Sequence, residues 1–178
     1  MKTRQLAVDA MLCAVCAVLG YVALDMGSVK ITFESLPILL GALLFGPVDG
    51  MLIGGVGTLL YQLVRYGVTA TTLLWIAPYV VCGLLAGAWA RRRGFALGRR
   101  ETVVLVVLAE LAVTALNTAA LYVDSKLYGY WFPGFILGAL ALRLVICVVK
   151  AVAFGLILPD VVETVRRTFG SWFPQRRD

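Results

Sequence analysis

Apolar residues fall along the chain in six blocks, 6–24, 31–45, 48–64, 72–90, 103–123 and 131–158, each bounded by charge, glycine or proline. A helix needs about 20 apolar residues to cross a bilayer core of about 30 Å. The first, fourth and fifth blocks therefore predict full spans. The second and third are short and are separated only by Gly46-Pro47-Val48-Asp49-Gly50. Proline lacks an amide donor and glycine permits positive φ, so this segment breaks a helix and predicts two short helices in a tight hairpin. The sixth block is long enough to tilt or to run on along the interface. The first follows a basic start, Met1-Lys2-Thr3-Arg4, as a cleaved signal would, but the run is long and Asp9 interrupts its head. It is read as a mature helix. The predicted fold is all-α, an integral membrane bundle of six transmembrane helices forming one domain over residues 1–178.

Composition agrees. The chain is 61% hydrophobic and 15% charged, with mean hydropathy +0.93, where soluble domains carry about 25% charged residues. A soluble fold of this length buries only about 70% of its unfolded surface, and the rest would expose apolar side chains to water. Soluble enzymes, nucleic-acid binders and disulfide-stapled secreted domains are thereby excluded. The net charge of +6 is not spread evenly. Lys2 and Arg4, then Arg91, Arg92, Arg93, Arg99 and Arg100, then Arg166, Arg167, Arg176 and Arg177 fall in three regions that six spans place on one side. Lysine and arginine mark cytoplasmic loops, so both termini are expected in the cytoplasm, with lipid headgroups as the arginines' contacts and no nucleic acid.

Polar residues recur inside the blocks with helical spacing. Thr58, Gln62 and Arg65 fall at i, i+4 and i+7, as do Glu110, Thr114 and Asn117, while Arg143 and Lys150 are seven apart. Such spacing puts side chains on one helical face, and charges in a membrane normally face a cavity or a partner. At a rise of about 1.5 Å per residue, Arg143 lies about 15 Å from the outer end and Glu110 about 20 Å. The two are thus expected to pair, and Lys150 to snorkel to the inner surface. Two readings of the pair stand, a structural ion pair and part of a pocket. Arg65 clusters near the outer end with Lys30, Glu34, Asp124 and Lys126. Trp75, beside Thr71 and Thr72, and Tyr79, Tyr128 and Trp131 lie there too, as belt aromatics or as a stacking wall for a flat ligand. An outward-opening pocket for a small polar molecule is expected from Glu34, Gln62, Arg65, Thr72, Trp75, Asn117, Lys126 and Arg143.

No catalytic constellation is present. There is no histidine, the commonest acid–base group and metal ligand. Cys13 and Cys16 read C-x-x-C, but they and Cys82 and Cys147 sit in apolar runs with no second pair to complete a tetrahedral site. They are expected to be packing residues. Gly55-Val56-Gly57 lies in an apolar helix and lacks the strand a dinucleotide motif needs. No enzyme activity, cofactor or metal is expected. If the protein moves solute uphill, the energy comes from elsewhere. Gly50 with Gly54 and Gly83 with Gly87 are spaced by four, which makes a helix face that another backbone can approach.

Several of these segments together resemble the substrate-binding S components of energy-coupling factor (ECF) vitamin importers. Leu6-Ala7 with Ala10 and Ala14 is similar to their alanine-rich first helix, and Leu36-Pro37-Ile38 with Leu44-Phe45-Gly46-Pro47 and Gly50 to their second-helix hairpin. Leu116-Asn117-Thr118, Tyr122 and Lys126-Leu127-Tyr128-Gly129 resemble the fifth-helix exit of the folate-type branch, and Arg143 in Leu142-Arg143-Leu144 its sixth-helix arginine. Residues 66–75 depart from that branch, whose loop there is rich in proline, glycine and phenylalanine, so folate, pantothenate and cobalamin all stay open. The resemblance implies a multi-pass protein of the bacterial cytoplasmic membrane that captures a vitamin from outside. A separate transmembrane coupling subunit and two ATPase subunits then deliver it inward. It also implies that Ala7, Ala10, Ala14 and Ala17 meet the coupling subunit, against the alternative that they pack inside the chain. Small membrane scaffolds of the cell-shape type share this architecture without transport and are the rival class, as is a self-sufficient transporter, for which no internal repeat is apparent.

Overall fold

The computed structural model describes residues 3–25 and 30–170. Its helices are α1 (Thr3–Tyr21), α2 (Ser35–Phe45), α3 (Pro47–Tyr66), α4 (Thr72–Arg92), α5 (Arg99–Leu127) and α6 (Pro133–Phe169). Between α1 and α2 a short antiparallel ladder pairs β1 (Leu24–Asp25) with β2 (Lys30–Ile31), Leu24 opposite Ile31 and Asp25 opposite Lys30. Six helices in the expected order make an all-helical bundle, and five of them are long and apolar enough to cross a membrane.

The exception is α2, and the expected hairpin of two short helices needs correcting. The helix α3 has 20 residues and α2 only 11, a length of about 16 Å against a core of about 30 Å. Sequence blocks mark where apolarity stops, but α3 gains a turn because Pro47 starts it and Tyr66 ends it. Proline at a first helical position lacks only an amide that would be orphaned anyway. Gly46, at φ 114°, makes the turn between the two helices. Apolar all round, α2 is buried all round: nine of its 11 residues are buried, against α1, α3, α4 and α6.

Its depth follows from its contacts. At the arginine-rich end, Arg166 donates to the carbonyls of Leu43 and Phe95, which ties the end of α6 to the end of α2 and to the α4–α5 loop. At the other end of α2, Ser35 donates to Glu110, eleven residues up α5 from Arg99 and so about 16 Å above that level. The short helix therefore fills the inner half of the bundle and leaves the outer half unfilled. Arg91, Arg92, Arg93, Arg99, Arg100, Arg166 and Arg167 share the inner end, which the positive-inside rule makes cytoplasmic. Lys2, Arg176, Arg177 and the side chain of Lys30 lie outside the described residues.

Close helix contacts rest on the small residues. A Cβ on Gly83 would lie 2.2 Å from the Gly50 carbonyl oxygen, and one on Gly54 2.5 Å from that of Tyr79. Gly50 thus meets Gly83, while Gly54 faces the Tyr79 backbone and Gly87 that of Pro47, and α3 crosses α4 backbone to backbone. Cys13 and Cys16 are free thiols on the buried face of α1, where Gly57 of α3 has room for nothing beyond hydrogen. At the inner end, Gln5 donates to Asp49 at 2.7 Å, joining the first turns of α1 and α3.

Candidate functional site

A cavity of about 490 Å³ occupies the space that α2 leaves open. It is lined from α3 by Tyr61, Gln62 and Tyr66, from α4 by Trp75 and Tyr79, from α5 by Val113, Thr114, Asn117, Leu121 and Asp124, and from α6 by Arg143, Ile146, Cys147 and Lys150. Thr32, just before α2, and Thr69, Thr71 and Tyr128 in the outer loops complete it. The outer ends of these helices form the mouth. There Asp124 accepts hydrogen bonds from the Trp75 indole, at 3.4 Å, and from the Tyr130 hydroxyl. Burial and the adjoining Asp124 carboxylate push the Tyr130 hydroxyl's pKa up, which keeps it a donor.

Four of the eight residues expected at the pocket line it: Gln62, Trp75, Asn117 and Arg143. Gln62 is buried and donates to the Tyr61 hydroxyl at 3.1 Å. Arg143 reaches Thr118 Oγ1 at 3.4 Å across the α5–α6 contact. The other four are not among the lining residues. Glu34 is fully buried beside the start of α2, with Thr58 Oγ1 3.5 Å from its carboxylate. Thr72 accepts from the Thr69 amide at 2.8 Å and closes the turn that leads into α4. Lys126 sits 3.6 Å over the Trp131 ring, a cation–π contact. Arg65 turns back to the Tyr21 carbonyl at 3.0 Å and lies 5.6 Å from the Tyr66 ring. A stripe spacing of four and seven fixes a face only at its centre, and Arg65, in the last turn of α3, is free to bend towards α1.

The expected Glu110–Arg143 pair does not form. Glu110 takes Lys150 at 2.9 Å and Ser35 instead. The fifth apolar block ends at residue 123, whereas the helix α5 continues to Leu127. That puts Glu110 about 26 Å from the outer end, level with Lys150, seventeen residues into α6, and well below Arg143. Lys150 does not snorkel, because α6 runs on for nineteen residues beyond it. Its side chain is only 9% exposed and that of Glu110 1%.

Thr32, Tyr61, Tyr66 and Thr69 were not picked out by the sequence. Thr32, Tyr66 and Thr69 flank short loops and have no spacing pattern, whereas Tyr61 lies inside α3, three residues after Thr58 and four before Arg65, on the border of that stripe. On α1, Ala7, Ala10 and Ala14 are exposed and Ala17 is half-buried, while Asp9, Cys13, Cys16 and Gly20 face the bundle. The alternative of internal packing for the alanine face is therefore out.

Fold and site define a class: a small multi-pass helical membrane protein whose ligand-sized cavity lies in the outer half of the bundle, above a short buried helix. The family model for the substrate-specific component of ECF transporters matches residues 4–165, and the chain belongs to that family, a transport component and not an enzyme. Solved structures agree in fold. The S component for biotin from an ECF-type ABC transporter is 17% identical, with TM-score 0.69 over 98% of this chain and 97% of that one. The S component of a bacterial ECF transporter is 20% identical, with TM-score 0.64 over 94% and 100%. FolT bound with folic acid is 23% identical, with TM-score 0.55 over 88% and 95%. No curated protein matches the chain in sequence.

Proposed function

We propose that this chain is the substrate-capture subunit of an ECF-type importer in the bacterial cytoplasmic membrane. It binds a vitamin or vitamin-like molecule from outside and releases it inward when joined to a transmembrane coupling subunit and two ATPase subunits. The observation that carries this reading is the outer cavity. Its volume of about 490 Å³ falls within the roughly 300–1,000 Å³ of small-molecule sites, and aromatic walls alternate with a few polar groups as such sites require. That volume favours a ligand of biotin to folate size over a corrinoid macrocycle. A shape-determining scaffold has no use for such a cavity. Gln62, Trp75, Asn117 and Arg143 are the ligand contacts in this reading, with Trp75 as the flat wall and Arg143 and Asn117 as polar anchors.

Truncating one partner of a buried charged contact costs about 2–5 kcal/mol, and each 1.4 kcal/mol is about tenfold in affinity. Titration calorimetry on Asn117→Ala and Arg143→Ala, with folding checked, is expected to give at least tenfold weaker vitamin binding. Wild-type affinity in both variants would move the site elsewhere and favour the scaffold.

The alanine face of α1 is the proposed contact with the coupling subunit. In lipid no hydrophobic drive joins helices, so close van der Waals fit supplies much of the association energy, and exposed Ala7, Ala10 and Ala14 offer a flat strip for it. Ala10→Trp and Ala14→Trp should leave vitamin binding in detergent intact and abolish ATP-driven uptake in proteoliposomes. Uptake at the wild-type rate with tryptophan at both positions would reject the docking face.

A further inference from the structure

The deep end of the cavity is lined by positive charge and the mouth by negative. Asp124, the one carboxylate among the described lining residues, sits near the outer end, three residues from the end of α5. Arg143 and Lys150 line the cavity further in, two turns apart on one face of α6. Lys150 stands at the floor, about 26 Å from the outer end, where Thr32, Val113 and Cys147 also line the wall.

Lys150 is shared between two environments. On one side its Nζ meets Glu110 at 2.9 Å. Glu110 is itself behind the wall: it is 1% exposed, does not line the cavity, and is held from its far side by Ser35 at the start of α2. An ammonium has three donors, and its contact with Glu110 Oε2 is an ion pair without hydrogen-bond geometry. The side chain also borders the cavity, where no fixed carboxylate reaches it. A purely structural pair would bury both partners out of reach of the ligand. Here the carboxylate is walled off and the ammonium is presented.

We propose that the ligand is an acid, and that its anionic group seats at the cavity floor on Lys150, which the Glu110–Ser35 contact holds in place. This rests on the receptor reading given above and adds the ligand's charge class and an anchoring residue. A carboxylate entering this position finds a desolvated, pre-oriented ammonium, with Arg143 two turns above it on the same face. A cationic ligand is repelled by the buried ammonium, and a neutral one gains only a hydrogen bond from it. An amide or alcohol oxygen can also accept from the ammonium, but only the carboxylate adds the attraction of two opposite charges in a desolvated site, so the acid is selected over its amide or alcohol at this one point. The head of the molecule then lies towards Trp75 and Asp124 at the mouth.

The test compares acids with their neutral partners: biotin with biotinamide, pantothenate with pantothenol, and folic acid with its diamide. Each is titrated by calorimetry into the detergent-purified wild type, Lys150→Met, and the double variant Lys150→Met/Glu110→Gln. The single variant strands a buried carboxylate and can fail to fold; the double one removes both charges and avoids that. At least one acid is expected to bind the wild type ten or more times tighter than its neutral partner, with that ratio falling to near one in the double variant. Equal binding of acid and neutral partner by the wild type overturns the proposal and leaves the receptor reading standing. So does a ratio that survives the loss of Lys150. Binding of neutral partners alone has the same meaning. If none of the six compounds binds the wild type, the proposal falls and the receptor reading falls with it for these vitamin classes.

Discussion

At the residue scale, the deepest polar cluster combines a sharp energetic demand with a modest distance. Glu110 and Lys150 are buried and 2.9 Å apart, and removing one partner of such a pair costs about 3–5 kcal/mol. Glu110→Ala should therefore lower unfolding stability in detergent by that amount. Replacing both residues, by Glu110→Leu with Lys150→Met, should cost less than the two single changes summed. Additive losses in that double-mutant cycle would mean the two side chains do not interact. The same variants separate Arg143 from the pair. Glu110→Ala strands Lys150 but leaves the Arg143–Thr118 contact at 3.4 Å untouched. Arg65→Ala should leave ligand affinity unchanged, because its guanidinium is spent on the Tyr21 carbonyl and the Tyr66 ring.

At the element scale, the bundle depends on backbones that touch. Gly50, Gly54, Gly83 and Gly87 leave no room for a Cβ between α3 and α4. Gly83→Ala forces the Gly50 carbonyl away, and overpacking of this kind costs about 1–3 kcal/mol, readable as a lower thermal midpoint in detergent. A midpoint equal to wild type would mean the crossing is looser than described. These pairs were legible in the sequence because spacing by four is local to one helix. The short reach of α2 was legible as a count of apolar residues, but the full length of α3 was not. Helix ends are decided by Pro47 and Tyr66 in their surroundings, not by where hydropathy falls. The wrong partner for Glu110 has the same origin. A helix end misplaced by four residues shifts depth by about 6 Å, enough to exchange Arg143 for Lys150.

At the scale of the whole molecule, the function follows from an unfilled half. Five helices span, the sixth stops midway, and the space above it becomes a cavity facing the side opposite the arginines. The polar stripes on α3, α5 and α6 announced that space, since Gln62, Thr114, Asn117, Arg143 and Lys150 all line it. Thr32, Tyr66 and Thr69 joined it through loop geometry that no periodicity encodes, and Tyr61 through its place on α3 beside Gln62. The exposed alanine strip of α1 is the proposed docking site for the ATP-driven partner subunits. The claim on which the rest depends is that the cavity holds one small molecule. Native mass spectrometry of the protein, purified in detergent from cells supplied with vitamins, tests it directly, with Asn117→Ala/Arg143→Ala beside the wild type. The wild type should retain one vitamin-sized mass per chain, and the double variant should lose it while keeping its fold. A wild type that carries no ligand, or a variant that retains the same mass equally well, would contradict the account.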